Sequence, residues 1–356
     1  MRDSEAALRD SFLAAQAGAR RIVYRYVSPA DKYLRKMIGF ALDDQNLSEY
    51  PFILDSAFSR REGDGGKIAR LAACIHLLQS STFITDDIFD RGVLRYGRPA
   101  VHRRYGISDA IIVAELLQSA ALQTAAEELA SGRFSHAARV NALLNRILVD
   151  LYVGQSLDLR GSSRISTTRS EYYRIIGLGA GRFLSTVARC GALLAGKPPL
   201  ESEALAQYGH AYGMALFILD DVVDVLESSA RTGKTERADI KQRRMRLPMI
   251  CALQLSRGPQ RRLLRDFLLR RASPGAAHVA ALLHDCGAVE ASVLIARRWL
   301  RHAIGALAPL HRDHSAVRLQ WLAEDLWVQS LGSWATKIPL HPAGHPRRAR
   351  AAATSS

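Results

Sequence analysis

Apolar residues in this chain recur at spacings of three and four, with no alternating segment of useful length, and that period is helical. Leu8, Phe12, Ala15 and Ile22 mark one side of a first helix, about 5–26. Ser28-Pro29 breaks it, and Pro29 suits the first turn of a second helix, about 30–42, with Leu34, Ile38 and Leu42 apolar. The charged, Gly-rich stretch 60–66 predicts a loop, and a long apolar helix follows over about 67–90. Gly92, Gly97, Pro99 and Gly106 predict a second loop, basic in lining, over 91–106. Further helices are predicted at about 108–131, 135–160, 169–195, 201–227, 243–256, 259–272, 276–284, 287–309 and 314–335. The expectation is an all-α fold of long helices around a central apolar cavity. It divides into an N-terminal helix (1–28), one domain (29–338) and a disordered, basic, Pro- and Ala-rich tail (339–356).

Composition narrows this picture. The 356 residues are 48% hydrophobic, enough to bury a sizeable core. No apolar run approaches the length of a membrane span, and the polar start Met1-Arg2-Asp3-Ser4-Glu5 lacks the apolar core of a signal peptide, so the expected location is cytoplasmic. Cys74, Cys190, Cys251 and Cys286 are widely spaced, fit no disulfide or zinc pattern and read as apolar residues in a reducing compartment. The net charge of +15 asks for an anionic partner. No zinc finger, RNP-like aromatic strand or clear helix-turn-helix accompanies it, so nucleic acid is not expected. Arg261-Arg262, Arg270-Arg271 and Arg347-Arg348-Ala349-Arg350 carry much of the excess, which leaves peripheral association with anionic lipid as a candidate.

The chemistry lies in two acidic strings, Asp86-Asp87-Ile88-Phe89-Asp90 and Asp220-Asp221-Val222-Val223-Asp224, each D-D-x-x-D behind an apolar run. Residues four apart share a helix face, so Asp86 stacks on Asp90 and Asp220 on Asp224, with Asp87 and Asp221 alongside. Three carboxylates in one turn repel one another unless a cation or water offsets them. Hard oxygen donors suit Mg²⁺, which keeps water and shares phosphate oxygens. One such string is more often a solvated acidic face. Two, far apart in sequence and each behind an apolar run, point to metal ions gripping one diphosphate.

Around these strings the chain resembles the trans-isoprenyl diphosphate synthases, the polyprenyl synthetase family, over roughly Pro29 to Pro309. Arg95-Tyr96-Gly97-Arg98-Pro99 stands where that family has R-R-G-x-P, and Gly154-Gln155-Ser156-Leu157-Asp158 resembles its G-Q-x-x-D. Gly213 to Asp224 is similar to its G-x-A-F-Q-I-x-D-D-x-x-D, and Gly233-Lys234, Asp239-Ile240 and Leu247-Pro248 follow in the family's order. The resemblance implies the all-α isoprenoid synthase fold as a homodimer. It also implies Mg²⁺-assisted ionisation of an allylic diphosphate and attack on the cation by isopentenyl diphosphate. It assigns metal binding to Asp86, Asp87, Asp90, Asp220, Asp221 and Asp224, and allylic diphosphate contacts to Arg95, Lys234 and Arg244. Asp158 stands open between a place near the metals and a structural role.

The second-substrate signature G-G-K-R-x-R-P is less well matched. Gly65-Gly66-Lys67 with Arg70 stands only nineteen residues before Asp86, too close for an intervening helix and turn. Lys32 and Arg35 have the K-x-x-R spacing on the earlier helix and are preferred. Gln79 is placed toward the second diphosphate, and Tyr96 replaces the second Arg of R-R-G with an uncharged phenol. Gly179 replaces the family's lysine on the allylic side, with Arg182 one turn on as its expected substitute. Ser81 and Thr82, small and just upstream of Asp86, suggest a product of geranylgeranyl-like length, with Leu77 and Leu78 a turn below. The leading expectation is a prenyltransferase that extends an allylic diphosphate with isopentenyl diphosphate. The alternative is a terpene synthase or atypical prenyltransferase that ionises a prenyl diphosphate without it. A weak partner subunit of a heteromeric synthase ranks third, since both acidic strings are complete.

Overall fold

The computed structural model describes residues 2–43, 47–59, 64–162, 164–226, 237–310 and 313–341. Its elements are helices α1 (Arg2–Tyr24), α2 (Lys32–Ala41), α3 (Glu49–Phe58) and α4 (Ala69–Phe89), then a small hairpin of β1 (Leu94–Arg95) and β2 (Arg98–Pro99). There follow α5 (Val101–Tyr105), α6 (Ile107–Ala130), α7 (Ala137–Gly161), α8 (Arg169–Ile176), a π-helical turn (Gly177–Gly181), α9 (Arg182–Leu194) and α10 (Pro199–Leu226). The chain continues through α11 (Ala238–Lys241), α12 (Leu247–Leu255), α13 (Gly258–Leu268), α14 (Ala276–Asp285), α15 (Ala288–Ala306), α16 (His314–Leu331) and α17 (Trp334–Lys337).

Local chemistry explains several boundaries. Asp31 caps α2 by accepting from the Leu34 N–H, and Thr168 and Glu171 form a reciprocal capping box on α8. The hairpin turn places Tyr96 (φ 52°) and Gly97 (φ 75°) between Arg95 and Arg98, the left-handed pair that a two-residue turn of this hand requires. Arg35 donates to the carbonyls of Val27 (3.0 Å) and Tyr24 (3.5 Å), satisfying groups that the end of α1 leaves open.

Three pairings carry the architecture: α4 against α6, α10 against α9, and α10 against α15. Close approach depends on glycine. A Cβ at Gly213 of α10 would stand 2.5 Å from the Ala180 carbonyl oxygen, and one at Gly191 of α9 would stand 2.5 Å from that of Leu54 in α3. α4 and α10, which carry the two acidic strings, are not among the closely packed pairs. Among the described residues no single helix is long and apolar enough to cross a membrane.

The all-α expectation holds, with local corrections. The segment 43–59 was left unassigned, yet α3 occupies its second half and is almost wholly buried. Its apolar residues run together without a polar face, so no amphipathic period announces it. The predicted helix 169–195 is broken by the π-helical turn, where Gly179 departs from helical geometry (ψ −112°). The predicted loop 91–106 contains the hairpin and α5. The N-terminal helix is part of the main core, where Ala15, Ala19, Ile22 and Val23 are buried against its neighbours. Of the predicted tail, residues 339–341 are packed: Leu340 is buried, and the Pro339 carbonyl accepts from Arg297. Residues 342–356 lie outside the described residues. Cys74, Cys190 and Cys251 are buried free thiols, and Cys286 is half-buried.

Candidate active site

The first acidic string ends α4, a helix buried along most of its length, and the hairpin folds back against it. Arg95 reaches Asp87 with two nitrogens, Nη2 to Oδ1 at 2.7 Å and Nε to Oδ2 at 3.1 Å. Its guanidinium also lies 4.7 Å from the Phe83 ring centre. The side chain of Asp86, one residue back, makes no hydrogen bond or ion pair among the described residues; its carbonyl accepts the Asp90 N–H at 2.7 Å. Burial, reinforced by Asp90, pushes its carboxyl up to about 7 despite Arg95 nearby. Such a carboxylate costs energy when ionised unless a cation arrives.

Asp90 is held from the other side of the site. Arg244 Nη2 lies 2.5 Å from its Oδ1, and Gln242 Nε2 donates to its backbone carbonyl at 2.6 Å. Both come from the segment linking α11 to α12, so that segment closes over the end of α4. Two residues on, Arg246 is clasped by Asp158 of α7 through paired contacts of 2.7 and 3.1 Å. Its Nε sits 3.3 Å from Asp239 Oδ1 and 3.9 Å from Asp221 Oδ1. Arg244 and Arg246 thus bridge the two acidic strings at one end of the bundle.

The second string is engaged by protein donors. Asp221 Oδ2 accepts from the Tyr172 hydroxyl (2.6 Å) and the Leu247 N–H (3.3 Å). Asp224 accepts the N–H groups of Ala238 (3.0 Å) and Asp239 (3.2 Å), capping the start of α11. Burial drives both carboxyls upward from the usual range, with Arg246 opposing at Asp221 and the two N–H groups opposing at Asp224. Asp220 is exposed.

Among the described residues no three acidic, His or Cys side chains converge as a ready-made metal cage. The cause is visible: Asp87, Asp90, Asp221 and Asp224 are each turned toward an arginine, a hydroxyl or a backbone N–H. The donor set still fits a hard divalent cation, because Mg²⁺ needs only one or two carboxylates beside water and phosphate oxygens. Asp86, half-buried and with no protein donor on its side chain among the described residues, is the position whose carboxylate best suits a cation.

An open cavity of about 510 Å³ lies beside the first string, lined by Phe40, Ser80, Phe83, Asp87, Arg95, Tyr96 and Arg98 among others. Its two arginines are matched: Arg95 with Asp87, and Arg98 with Asp43 at 3.0 Å. Gln79 is buried, and its Oε1 accepts from the Ser48 hydroxyl at the start of α3.

Several predicted positions are elsewhere. Lys32 is exposed, Arg35 serves the end of α1, and neither lines this cavity. The residue that meets Gln79 is Ser48, reached through the helix that period reading did not find. Arg182 pairs with Asp150 of α7 at 3.1 Å. Lys234 lies outside the described residues. Ser81 is fully buried with its hydroxyl on the Leu78 carbonyl (2.7 Å), while Thr82 is half-buried one turn before Asp86, its hydroxyl on the Gln79 carbonyl. Arg246, Tyr172 and Ser48 were missed as site residues. Arg246 had a signal, an extra arginine just before Leu247-Pro248 in the segment that follows Asp239; the other two had none.

A sequence model of the polyprenyl synthetase family matches residues 20–285. A short chain isoprenyl diphosphate synthase of Methanothermobacter thermautotrophicus is 29% identical over 262 residues, 74% of this chain and 80% of that protein. An all-trans-nonaprenyl-diphosphate synthase of Rhodobacter capsulatus is 27% identical, over 62% of this chain and 66% of its own. Among solved structures, a polyprenyl synthase from Caulobacter crescentus complexed with calcium and isoprenyl diphosphate superposes with a TM-score of 0.80 at 22% identity, covering 89% of this chain and 95% of that one.

Proposed function

The chain belongs to the polyprenyl synthetase family, and from that premise we propose that it condenses isopentenyl diphosphate with an allylic diphosphate, using Mg²⁺, to make a polyprenyl diphosphate. It is an enzyme, a trans-prenyltransferase. The observation that carries the reading is the meeting of both acidic strings at one end of the bundle, bridged by Arg244 and Arg246. Asp86, Asp90 and Asp220 would hold metal ions on the leaving diphosphate. Developing negative charge there would be stabilised by the metals and by Arg95 and Arg244. The apolar interior would keep water from the carbocation. Thr82, with Leu77 and Leu78 below it, is consistent with a geranylgeranyl-like product. The matched relatives span short-chain to nonaprenyl products, so length rests on these residues alone.

The test is incubation with Mg²⁺, labelled isopentenyl diphosphate and each allylic primer, with products weighed by mass spectrometry. Elongated diphosphate is expected, and none from any primer would sink the reading.

One observation favours a second reading. The cavity beside Asp87 has its two arginines cancelled by two aspartates, Tyr96 in place of a cation, and Ser48 against Gln79. A second diphosphate would find little net positive charge there. That arrangement supports a terpene synthase or atypical prenyltransferase that ionises one prenyl diphosphate and needs no isopentenyl diphosphate. Hydrocarbon or alcohol formed from a prenyl diphosphate alone would establish it. Tyr96→Arg should lower the KM for isopentenyl diphosphate by roughly ten- to a hundredfold under the first reading only, each such charged contact being worth about 1.5–3 kcal/mol.

We also propose that two copies pair through α6 and α7, whose Ile107, Ile111, Ile112, Val149, Tyr152 and Val153 are all exposed. A monomer mass by sedimentation at micromolar concentration would remove that proposal.

A further inference from the structure

The positive charge of the chain is unevenly matched by acid. Between Arg257 and Arg271 six arginines, at 257, 261, 262, 265, 270 and 271, are exposed. Among the described residues none of them forms an ion pair. The one acid in that span is Asp266, which is half-buried. Elsewhere exposed arginines do find a carboxylate, as Arg25 does with Glu127 and Arg164 with Glu171.

The segment is α13 and its two ends. Leu264 and Phe267 are buried on one side, anchoring the helix to the body. Arg261, Arg265 and Leu269 follow at four-residue steps, so they form one line on the opposite side, with Arg262 beside it. Leu269 is 40% exposed at one end of the helix, and Leu255, just before its start, is 49% exposed. The result is a ridge of unmatched guanidinium groups with an aliphatic side chain at each end.

We propose that this ridge is a docking surface for an anionic lipid bilayer. Guanidinium groups would pair with headgroup phosphates, and Leu255 and Leu269 would enter the boundary between headgroups and acyl chains. The two leucines favour a bilayer over nucleic acid, which would gain nothing from them. The ridge is also tied to the candidate active site. Arg243, beside the Arg244 that holds Asp90, donates to the Phe267 carbonyl at the end of α13, reaches the Ser273 hydroxyl at 3.2 Å, and lies 4.7 Å from the Phe267 ring centre. A docked α13 would therefore place the covering segment of the site at the lipid surface. This inference is independent of which second substrate the enzyme takes.

The test is flotation of the full chain with phosphatidylcholine vesicles, with and without about a third phosphatidylglycerol. Binding is expected only to the anionic vesicles, and it should fall as salt is raised. The triple variant Arg261→Glu/Arg262→Glu/Arg265→Glu should bind at least about tenfold more weakly. A control with the same charge change on exposed arginines elsewhere, Arg9→Glu/Arg103→Glu/Arg139→Glu, should stay within about twofold. Leu269→Ser should weaken vesicle binding several-fold and serves as the decisive variant if the triple fails to fold. Equal binding to neutral and anionic vesicles, or equal loss in the control, would overturn the proposal. So would retention of duplex DNA, abolished by the α13 triple, in the absence of vesicle binding.

Discussion

The two acidic strings are the same pattern in sequence and different objects in the fold. The first meets the protein mainly through arginines: Arg95 on Asp87, Arg244 on Asp90. It leaves the half-buried Asp86 side chain with no hydrogen-bond donor among the described residues. The second is met by groups that fix backbone: a tyrosine hydroxyl, the N–H of Leu247, and the first N–H groups of α11. One string leaves a carboxylate side chain without a protein donor among the described residues. The other uses Asp221 and Asp224 to hold the segment that covers the site, and its Asp220 is exposed. The difference teaches that an acidic motif is not a unit of function. Each carboxylate acts according to the donor it faces.

The largest effect that could break this comparison is on turnover. Asp86→Ala and Asp220→Ala should each lower kcat by roughly a hundred- to a thousandfold, as loss of a transition-state charge contact does, with little change in unfolding midpoint. Full Mg²⁺-dependent activity in both would refute the site.

Stability gives the next test. Arg246 is packed against Asp158, Asp239 and Asp221 with 15% of its side chain exposed, so Arg246→Met would strand carboxylates that have no other nearby cation of equal reach. Denaturant unfolding should show a loss of about 3 kcal/mol. Arg244→Met should cost less, about 1 kcal/mol, because its main partner Asp90 retains 39% of its side-chain exposure. Equal losses would mean that the two strings are held alike.

The smallest effect is in pH dependence. Asp86 titrates at about 7 in the folded chain, above its unfolded value of roughly 3.9. Between those values the folded state binds the extra proton. The stabilisation is therefore complete below about pH 4 and is lost as pH rises through about 7. Metal-free Asp86→Asn should match the parent near pH 4 and be the more stable of the two at pH 8. If the variant is no more stable at pH 8, Asp86 has a donor after all, and the contrast between the strings weakens.

Much of this site could be read from residue order alone. Asp86 and Asp90, Asp220 and Asp224, Arg95 and Arg244 are local features, set by helical period or by position in a recognisable string. What could not be read depended on which distant segment arrives opposite. Lys32 and Arg35 have a suitable spacing, but the end of α1 lies close enough to take Arg35 for its own carbonyls. Arg182 stands one turn from Gly179, yet Asp150 of another helix takes it. Asp158 stood open between a place near the metals and a structural role, and its two-point contact with Arg246 came only from the fold.

By itself, then, the amino-acid order determined an all-α chain with two carboxylate triplets at helix ends, because periodicity and i, i+4 geometry are local and need no partner. Only the tertiary structure decided which carboxylates meet an arginine, a hydroxyl or a backbone N–H and which meet none among the described residues. A carboxylate's role depends on the donors within about 3 Å of it, and here those come from residues up to 154 positions away, as between Asp90 and Arg244.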